Sequence, residues 1–140
     1  MTKNKIGIVV PYRNRREHLN HFIPSITTIL KEQNIDYEVI IIEQADDKPF
    51  NRGKLLNVGV KRAKKLKCNY VALHDVDMLP QEVDYSIVDR PTHLATKFTS
   101  DHKEKRIIFE KPKIIPVKSS FFNICLVIFN FCVRNFNETF

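Results

Sequence analysis

The sequence has few cysteines and no long apolar segment, and each shortage excludes a class of protein. The three cysteines, at positions 68, 125 and 132, show no Cys-x-x-Cys spacing, which predicts neither a disulfide framework nor a zinc site and favours a reducing compartment. The N-terminal apolar run is broken by Pro11 and is too short for a signal-peptide core. A second apolar run, 121–133, is shorter than the roughly 20 residues that span a bilayer, so we expect no transmembrane segment.

Internal repeats, low-complexity segments and long blocks of one charge are also absent, which argues against a nucleic-acid-binding tail. The net charge is nevertheless +7. An anionic partner is therefore expected, which could be a nucleotide diphosphate, a nucleic acid, an acidic glycan or an anionic membrane surface. At 140 residues, the chain is long enough to bury one hydrophobic core but short for two independent domains.

Hydrophobic periodicity predicts three strands that alternate with two helices. The strands are the β-branched apolar runs 6–10, 37–42 and 69–73, which are typical of buried strands. The first helix has an apolar face formed by Leu19, Phe22, Ile23, Ile26 and Leu30. Pro24 should kink or divide this first helix. A second amphipathic helix follows around 55–66. This order predicts an α/β fold with a Rossmann-like parallel sheet covered by helices.

A polar cluster follows each predicted strand. The clusters are Pro11-Tyr12-Arg13-Asn14-Arg15, Phe50-Asn51-Arg52-Gly53-Lys54 and His74-Asp75-Val76-Asp77. Ligands of parallel sheets bind at the carboxyl ends of the strands, so the clusters should converge there. Arginine guanidinium groups pair with diphosphate oxygens, and an aromatic ring offers a face to a base. Two carboxylates at i and i+2 are suited to a hard divalent cation that also binds phosphate and water.

Each cluster alone has a simpler structural explanation. An isolated Asp-x-Asp is most often a solvated turn, and a lone phenylalanine is more often a core or rim residue than a platform for a base. His74 and His93 are better explained as hydrogen-bonded structural residues, and the basic residues in 61–65 as the solvated face of a helix. The functional prediction therefore depends on the three clusters occurring together.

Taken together, the clusters resemble the β-1,4-galactosyltransferase family. VVPYRNRREHL is similar to the family's Pro-Phe-Arg-Asn-Arg segment, with Tyr12 in place of phenylalanine. EQADDKPFNRGKLLNVGV is similar to the family's segment around Phe-Asn-Arg-Ala-Lys-Leu-Leu-Asn-Val-Gly, and ALHDVDMLP completes the set. The histidine before Asp75 and the EVDYS after Pro80 resemble the branch that galactosylates xylose in proteoglycan linkers.

The resemblance implies a nucleotide-diphosphate-sugar transferase fold of the GT-A type and a metal-dependent, inverting transfer of galactose, or a related sugar, from a UDP donor to a glycan hydroxyl. It implies that UDP-galactose is bound by Pro11, Tyr12, Arg13, Arg15, Phe50, Arg52 and Asp75. Asp77 would bind manganese, with magnesium as the alternative, and the cation would bridge the phosphates and offset the charge on the leaving UDP. A carboxylate base would take the proton of the acceptor hydroxyl.

The resemblance fades after about residue 100. The family's Tyr-Phe-Gly-Gly and Trp-Gly-Trp-Gly-Gly-Glu-Asp-Asp segments, which supply the acceptor platform and the catalytic base, do not occur, and the chain has no tryptophan. The catalytic residues are therefore unknown from the sequence. We expect a UDP-sugar-binding domain at 1–100 and a basic, then apolar tail at 101–140, whose run 121–133 forms a buried strand or helix or an aggregation-prone, non-native segment.

Three functions stay open from the sequence. The first is a glycosyltransferase, and the second is a catalytically inactive fragment or binding module that keeps only UDP-sugar affinity. The third, a nucleic-acid-binding protein, is suggested by charge alone and lacks an aromatic and basic recognition motif. We therefore expect a UDP-sugar and a glycan acceptor as partners, and no nucleic acid. The expected location is the cytoplasm for a microbial or viral type of enzyme, or the Golgi lumen for a fragment of an animal-type enzyme.

Overall fold

The structure is a computed structural model that describes residues 4–87, 92–94, 97–101, 104–108 and 131–134. Its elements, in chain order, are β1 (Lys5–Tyr12), α1 (Arg16–Glu32), β2 (Asp36–Glu43), α2 (Arg52–Lys65), β3 (Tyr70–Leu73), β4 (Met78–Pro80), β5 (Thr92–His93), β6 (Lys97–Asp101), β7 (Glu104–Ile108) and β8 (Phe131–Arg134). The predicted alternation of strands and helices is confirmed from β1 to β3.

The larger of two sheets has the strand order β2-β1-β3-β8-β5, and the smaller has the order β4-β7-β6. β1 pairs in parallel with β2 on one side and with β3 on the other, which confirms the predicted parallel arrangement. β8 runs antiparallel to β3, so the sheet formed by the described strands is mixed. Because the chain crosses from β2 over β1 to reach β3, a crevice is expected between the carboxyl ends of β1 and β3.

The two helices cover opposite faces of β1, because successive side chains of a strand point to opposite sides. The cluster on the α1 side includes Ile6, Ile8 and Val10 with Phe22, Ile26 and Leu30. The cluster on the α2 side includes Val9, Leu56 and Ala63. Burial on both faces explains why the β1 sequence is continuously apolar instead of alternating.

Helix α1 continues through Pro24, so the predicted division of the helix is wrong. Proline has no N–H, so the carbonyl of Asn20 lacks its usual partner within the helix. Asn20 and Pro24 are both exposed, and this carbonyl therefore lies on the solvent side of the helix. Ile23 belongs to the predicted apolar face, but it is 39% exposed. The buried stripe is narrower and consists of Phe22, Ile26 and Leu30.

Helix α2 lies very close to the sheet at Gly59. A Cβ atom added there would be 2.1 Å from Val9 Cγ1, and one added at Gly7 of β1 would be 3.0 Å from Ala63 Cβ. The distance at Gly59 leaves no room for a Cβ atom, whereas a Cβ atom at Gly7 would need its neighbour to move by a few tenths of an ångström. The close approach fixes α2 over β1 and thereby places the N-terminus of α2 at the carboxyl end of the sheet.

Both helices end in a turn with a residue in the left-handed region. Asn34 follows α1 with φ 52°, and Lys67 follows α2 with φ 60°. After α2, the Cys68 N–H donates to the Ala63 carbonyl at 3.0 Å, which is the bond that defines the Schellman motif. Asparagine tolerates this backbone conformation, whereas lysine is strained in it.

Strands from both sides of residue 100 share these sheets. β7 pairs with β4, and β8 pairs with β3, so the division into 1–100 and 101–140 stays a prediction. Most of the apolar run 121–133 lies outside the described residues, and its last three residues belong to β8. Within the ranges described, neither α1 nor α2 has the length and apolarity needed to cross a membrane.

Candidate functional site

A pocket of about 400 Å³ lies at the carboxyl ends of β1 and β3 and at the start of α2. It is lined by Pro11, Arg13, Arg15, Phe50, Arg52, Asp75, Val76 and Asp77. The clusters that follow β1, β2 and β3 therefore converge, as the sequence predicted, at the crevice where the strand order reverses.

Tyr12 is not among the residues that line the pocket, although the resemblance assigned it to the site. Its side chain is partly buried and packs with the cluster on the α1 side of the sheet. The reason is the alternation along β1, in which Tyr12 points to the same side as Val10, towards α1, and Pro11 points to the other side. Val76 also lines the pocket, and its only signal in the sequence was its place between the two aspartates.

Arg13 and Phe50 form the part of the pocket suited to a base. The Arg13 Nη1 donates to the Lys48 carbonyl at 2.6 Å, and its guanidinium carbon lies 5.4 Å from the centre of the Phe50 ring. This is the distance of a cation–π contact. Phe50 is 42% exposed, so ring surface is available for stacking.

Gln44 organises the loop between β2 and α2 that carries Phe50. Its side-chain carbonyl accepts from the Asn51 N–H at 2.8 Å, and its amide nitrogen lies 3.2 Å from the carbonyl oxygens of Lys48 and Pro49. One side chain thus joins the beginning of the loop to its end. This role of Gln44 was not predicted, because its only signal in the sequence was its position in the family-like segment.

The N-terminus of α2 reaches the pocket between Phe50 and Arg52. Asn51 caps the helix, since its side-chain oxygen accepts from the Lys54 N–H at 3.0 Å. No acidic residue occupies the first turn of α2. The partial positive charge of a helix N-terminus is therefore not neutralised within that turn, which favours an anion such as phosphate.

Two ion pairs join arginines and aspartates across the pocket. Arg52 Nε donates to Asp75 Oδ1 at 2.8 Å, and the two side chains are 25% and 16% exposed. Arg15 Nη1 lies 3.4 Å from Asp77 Oδ2, and these side chains are 54% and 32% exposed. Asp75 is therefore held firmly, whereas Asp77 has a longer contact and a more accessible carboxylate.

His74 is a buried residue beside the pocket and does not line it. Its Nε2 lies 2.7 Å from the Tyr85 hydroxyl, and its ring packs against Phe22 with 5.4 Å between centroids. Burial lowers the pKa of His74 to about 3, so the ring is neutral at physiological pH. His74 is thus a hydrogen-bonded core residue, as the sequence predicted, while the side chain of His93 lies outside the described residues.

The carboxylates fit a divalent cation that shares its ligands with a bound anion. In the part of the chain that the structure describes, no three His, Cys, Asp or Glu side chains are grouped to hold a metal. Asp77 offers an accessible oxygen, which a hard cation binds readily, and the remaining positions could be filled by phosphate and water. The two carboxylates of the pocket would therefore hold a cation only together with other oxygen ligands.

Comparison with known proteins gives a family for most of the described chain. Residues 1–88 match the N-terminal region of glycosyl transferase group 7. The xylosylprotein 4-beta-galactosyltransferase of Caenorhabditis elegans is 43% identical over 84 residues, which are 59% of this chain and 29% of that protein. The β-1,4-galactosyltransferase 1 of Bos taurus is 38% identical over 98 residues, 68% of this chain and 24% of that protein. The chain thus spans between about a quarter and three-tenths of the length of these two relatives.

Two solved structures of Drosophila β-1,4-galactosyltransferase 7 are also similar. The catalytic domain in complex with xylobiose has a TM-score of 0.61 and 36% identity, covering 64% of this chain and 39% of that one. A point mutant in complex with manganese, UDP-Gal and xylobiose has a TM-score of 0.68 and 28% identity, covering 94% of this chain and 49% of that one. These similarities confirm the GT-A type fold. The chain therefore belongs to the β-1,4-galactosyltransferase family, and residues 1–88 match the N-terminal region of glycosyl transferase group 7.

Proposed function

We propose that the pocket binds a UDP-sugar, with UDP-galactose as the first expectation, together with a divalent cation. The observation that carries this proposal is that three arginines, one exposed aromatic ring and two aspartates line a single pocket of about 400 Å³. The pocket lies at the crevice where the strand order of the sheet reverses. A diphosphate needs cationic donors, a base needs a flat apolar face, and a metal needs carboxylate oxygen. The pocket offers all three within one volume.

The proposed roles follow from position. Phe50 would stack on the uracil, with Pro11 as a wall of the pocket. Arg13, Arg15 and Arg52 would hold the diphosphate, helped by the N-terminus of α2. Asp75, fixed by Arg52 at 2.8 Å, would face the ribose and the sugar. In each case the side chain already lines the pocket.

Asp77 is the proposed metal ligand, with manganese as the first choice and magnesium as the alternative. A similar solved structure contains manganese and UDP-Gal, which supports this choice. When bound, the cation would offset the charge of the diphosphate and of the leaving UDP. Arg15 would have to leave Asp77, and this is inexpensive, because partly exposed ion pairs contribute only about 0–1 kcal/mol. The released guanidinium could then contact a phosphate oxygen.

Transfer of the sugar with inversion to a glycan hydroxyl would make the protein a galactosyltransferase. Xylobiose is present in both similar structures, which supports a glycan acceptor. The reaction needs a base for the acceptor hydroxyl. Among the described residues that line the pocket, the only carboxylates are Asp75 and Asp77, and both face arginines. This favours, as the second candidate, a binding module that keeps UDP-sugar affinity without turnover.

The relatives named above are animal proteins. Of the two compartments expected from the sequence, this supports the Golgi lumen over the cytoplasm, and we include it in the proposal. Immunofluorescence of the endogenous protein against a Golgi marker tests it, and diffuse cytosolic staining would favour the other compartment.

Calorimetric titration of UDP-galactose into the purified chain, with and without manganese, tests the donor site. We expect binding that requires manganese and that weakens at least tenfold in Asp77→Asn. Asp36→Asn is the matched control, because Asp36 begins β2 at the opposite end of the parallel strands, and its affinity should equal that of the parent. Absence of binding by a folded parent would overturn the proposal. Release of UDP in the presence of a xylose-terminated acceptor would then separate the enzyme from the binding module.

A further inference from the structure

A buried hydrogen-bonded network connects the aspartates of the pocket to the chain after β4 and to α1. His74 directly precedes Asp75, and its Nε2 lies 2.7 Å from the Tyr85 hydroxyl. The Tyr85 N–H donates to the side-chain oxygen of Gln33, at the end of α1, at 2.9 Å. The Gln33 amide in turn donates to the Val83 carbonyl. The network thus attaches His74 both to the chain after β4 and, through Gln33, to the end of α1.

The backbone around His74 leads directly into the turn that carries the aspartates. The His74 N–H donates to the Val9 carbonyl at 2.9 Å, which attaches this residue to β1. The Met78 N–H donates to the Asp75 carbonyl at 3.2 Å and closes the turn. Between these two bonds, Asp75 and Asp77 project into the pocket. The orientation of the turn therefore depends on how firmly His74 is held at its start.

A polar imidazole is unfavourable at this buried position unless its hydrogen bonding contributes to the structure. The side chain is 2% exposed, and its Nδ1 has no hydrogen-bond partner among the described residues. An apolar ring would pack against Phe22 without leaving a buried nitrogen unsatisfied. The imidazole forms a directional hydrogen bond with the Tyr85 hydroxyl. This bond fixes the rotation of the imidazole ring, which packing alone would not do.

We propose that His74 and Tyr85 are positioning residues, which hold the turn so that Asp75 and Asp77 meet the cation and the donor in the correct geometry. Neither side chain lines the pocket, so both act through the turn. The inference rests on the proposed function. Sites of this kind require their ligating groups to be placed to within about 0.5 Å, and a supporting hydrogen bond is the usual means.

Tyr85→Phe is the test variant, because it removes the hydroxyl and keeps the ring. Tyr70→Phe is the matched control. Tyr70 is equally buried, at 1% exposure, and its hydroxyl donates to the Tyr85 carbonyl at 3.1 Å, so this change also deletes one buried hydroxyl but leaves the His74 bond intact. Manganese-dependent UDP affinity is measured for each by calorimetry, and stability by thermal unfolding.

We expect Tyr85→Phe to weaken manganese-dependent UDP binding at least tenfold and Tyr70→Phe to weaken it less than twofold, although both lower the Tm. A merely structural role would lower the Tm of both and leave both affinities near that of the parent. That result, or equal weakening in the two variants, would overturn the inference.

The double variant His74→Phe with Tyr85→Phe covers the case in which the single variant does not fold. It replaces both polar partners by apolar rings, which restores packing without an unsatisfied group. We expect near-parental Tm and at least tenfold weaker binding, and parental affinity would contradict the inference. A folded parent that shows no manganese-dependent binding would overturn the proposed function, and this inference with it, whereas binding by the parent and by all variants would overturn the inference alone.

Discussion

The neutral, buried imidazole of His74 makes the stability of the fold depend on pH. Burial lowers the pKa of His74 from 6.5 to about 3, so between these values the unfolded chain binds a proton that the folded chain does not. Stability is therefore fully present above pH 6.5 and is lost as the pH falls toward 3. Each pH unit corresponds to about 1.4 kcal/mol, so lowering the pH from 6.5 to 5 should reduce the free energy of unfolding by about 2 kcal/mol.

Urea unfolding of the metal-free chain at several pH values between 7.5 and 5 measures this effect. His74→Phe is the comparison, because it removes the titrating group and keeps a ring against Phe22. Other groups titrate in both proteins, so they cancel in the difference between the two curves. We expect the parent to lose about 2 kcal/mol more than the variant over this interval. Parallel curves would refute the account of His74 as a neutral core residue.

Three further predictions concern the loop and the helix. Gln44→Ala should weaken UDP binding severalfold by calorimetry, because Asn51 loses its acceptor, and unchanged affinity would argue against an organising role. Gly59→Ala should lower the free energy of unfolding in urea by about 1–3 kcal/mol, since its Cβ meets Val9, and parental stability would contradict this close packing. Lys67→Gly should raise the free energy of unfolding by about 1 kcal/mol by relieving the positive φ, whereas Lys61→Gly, at an exposed position inside α2, should lower it by a similar amount.

The order of strands and helices could be predicted because it follows from the local periodicity of apolar residues. β1 is apolar on both faces and α2 repeats apolar residues at helical spacing, and these patterns need no knowledge of distant contacts. The fate of Pro24 could not be predicted in this way. It depends on which side of α1 faces solvent, and that is decided by packing on the sheet. The pairing of β8 with β3 joins residues far apart in sequence and leaves no local signal.

The convergence of the site could be predicted from the placement of Arg13, Phe50 and Asp77 after successive strands, since parallel strands bring their carboxyl ends together. The absence of Tyr12 from the pocket follows from alternation along β1, once it is known that the strand extends to residue 12. Gln44 and Tyr85 were missed for a different reason. Their roles consist of hydrogen bonds to backbone and side-chain groups several to many residues away, and sequence spacing does not reveal such bonds.

The central claim is that the pocket holds a metal and a UDP-sugar, and paramagnetic broadening of backbone amide NMR signals by manganese tests it most directly. With UDP present, the account predicts that substoichiometric manganese first broadens the amides of residues 74–77. Magnesium with UDP should instead shift the signals of Arg13, Phe50 and Arg52 without broadening. Broadening and shifts at the basic face of α2, residues 61–65, or no change in a folded chain, would contradict the account.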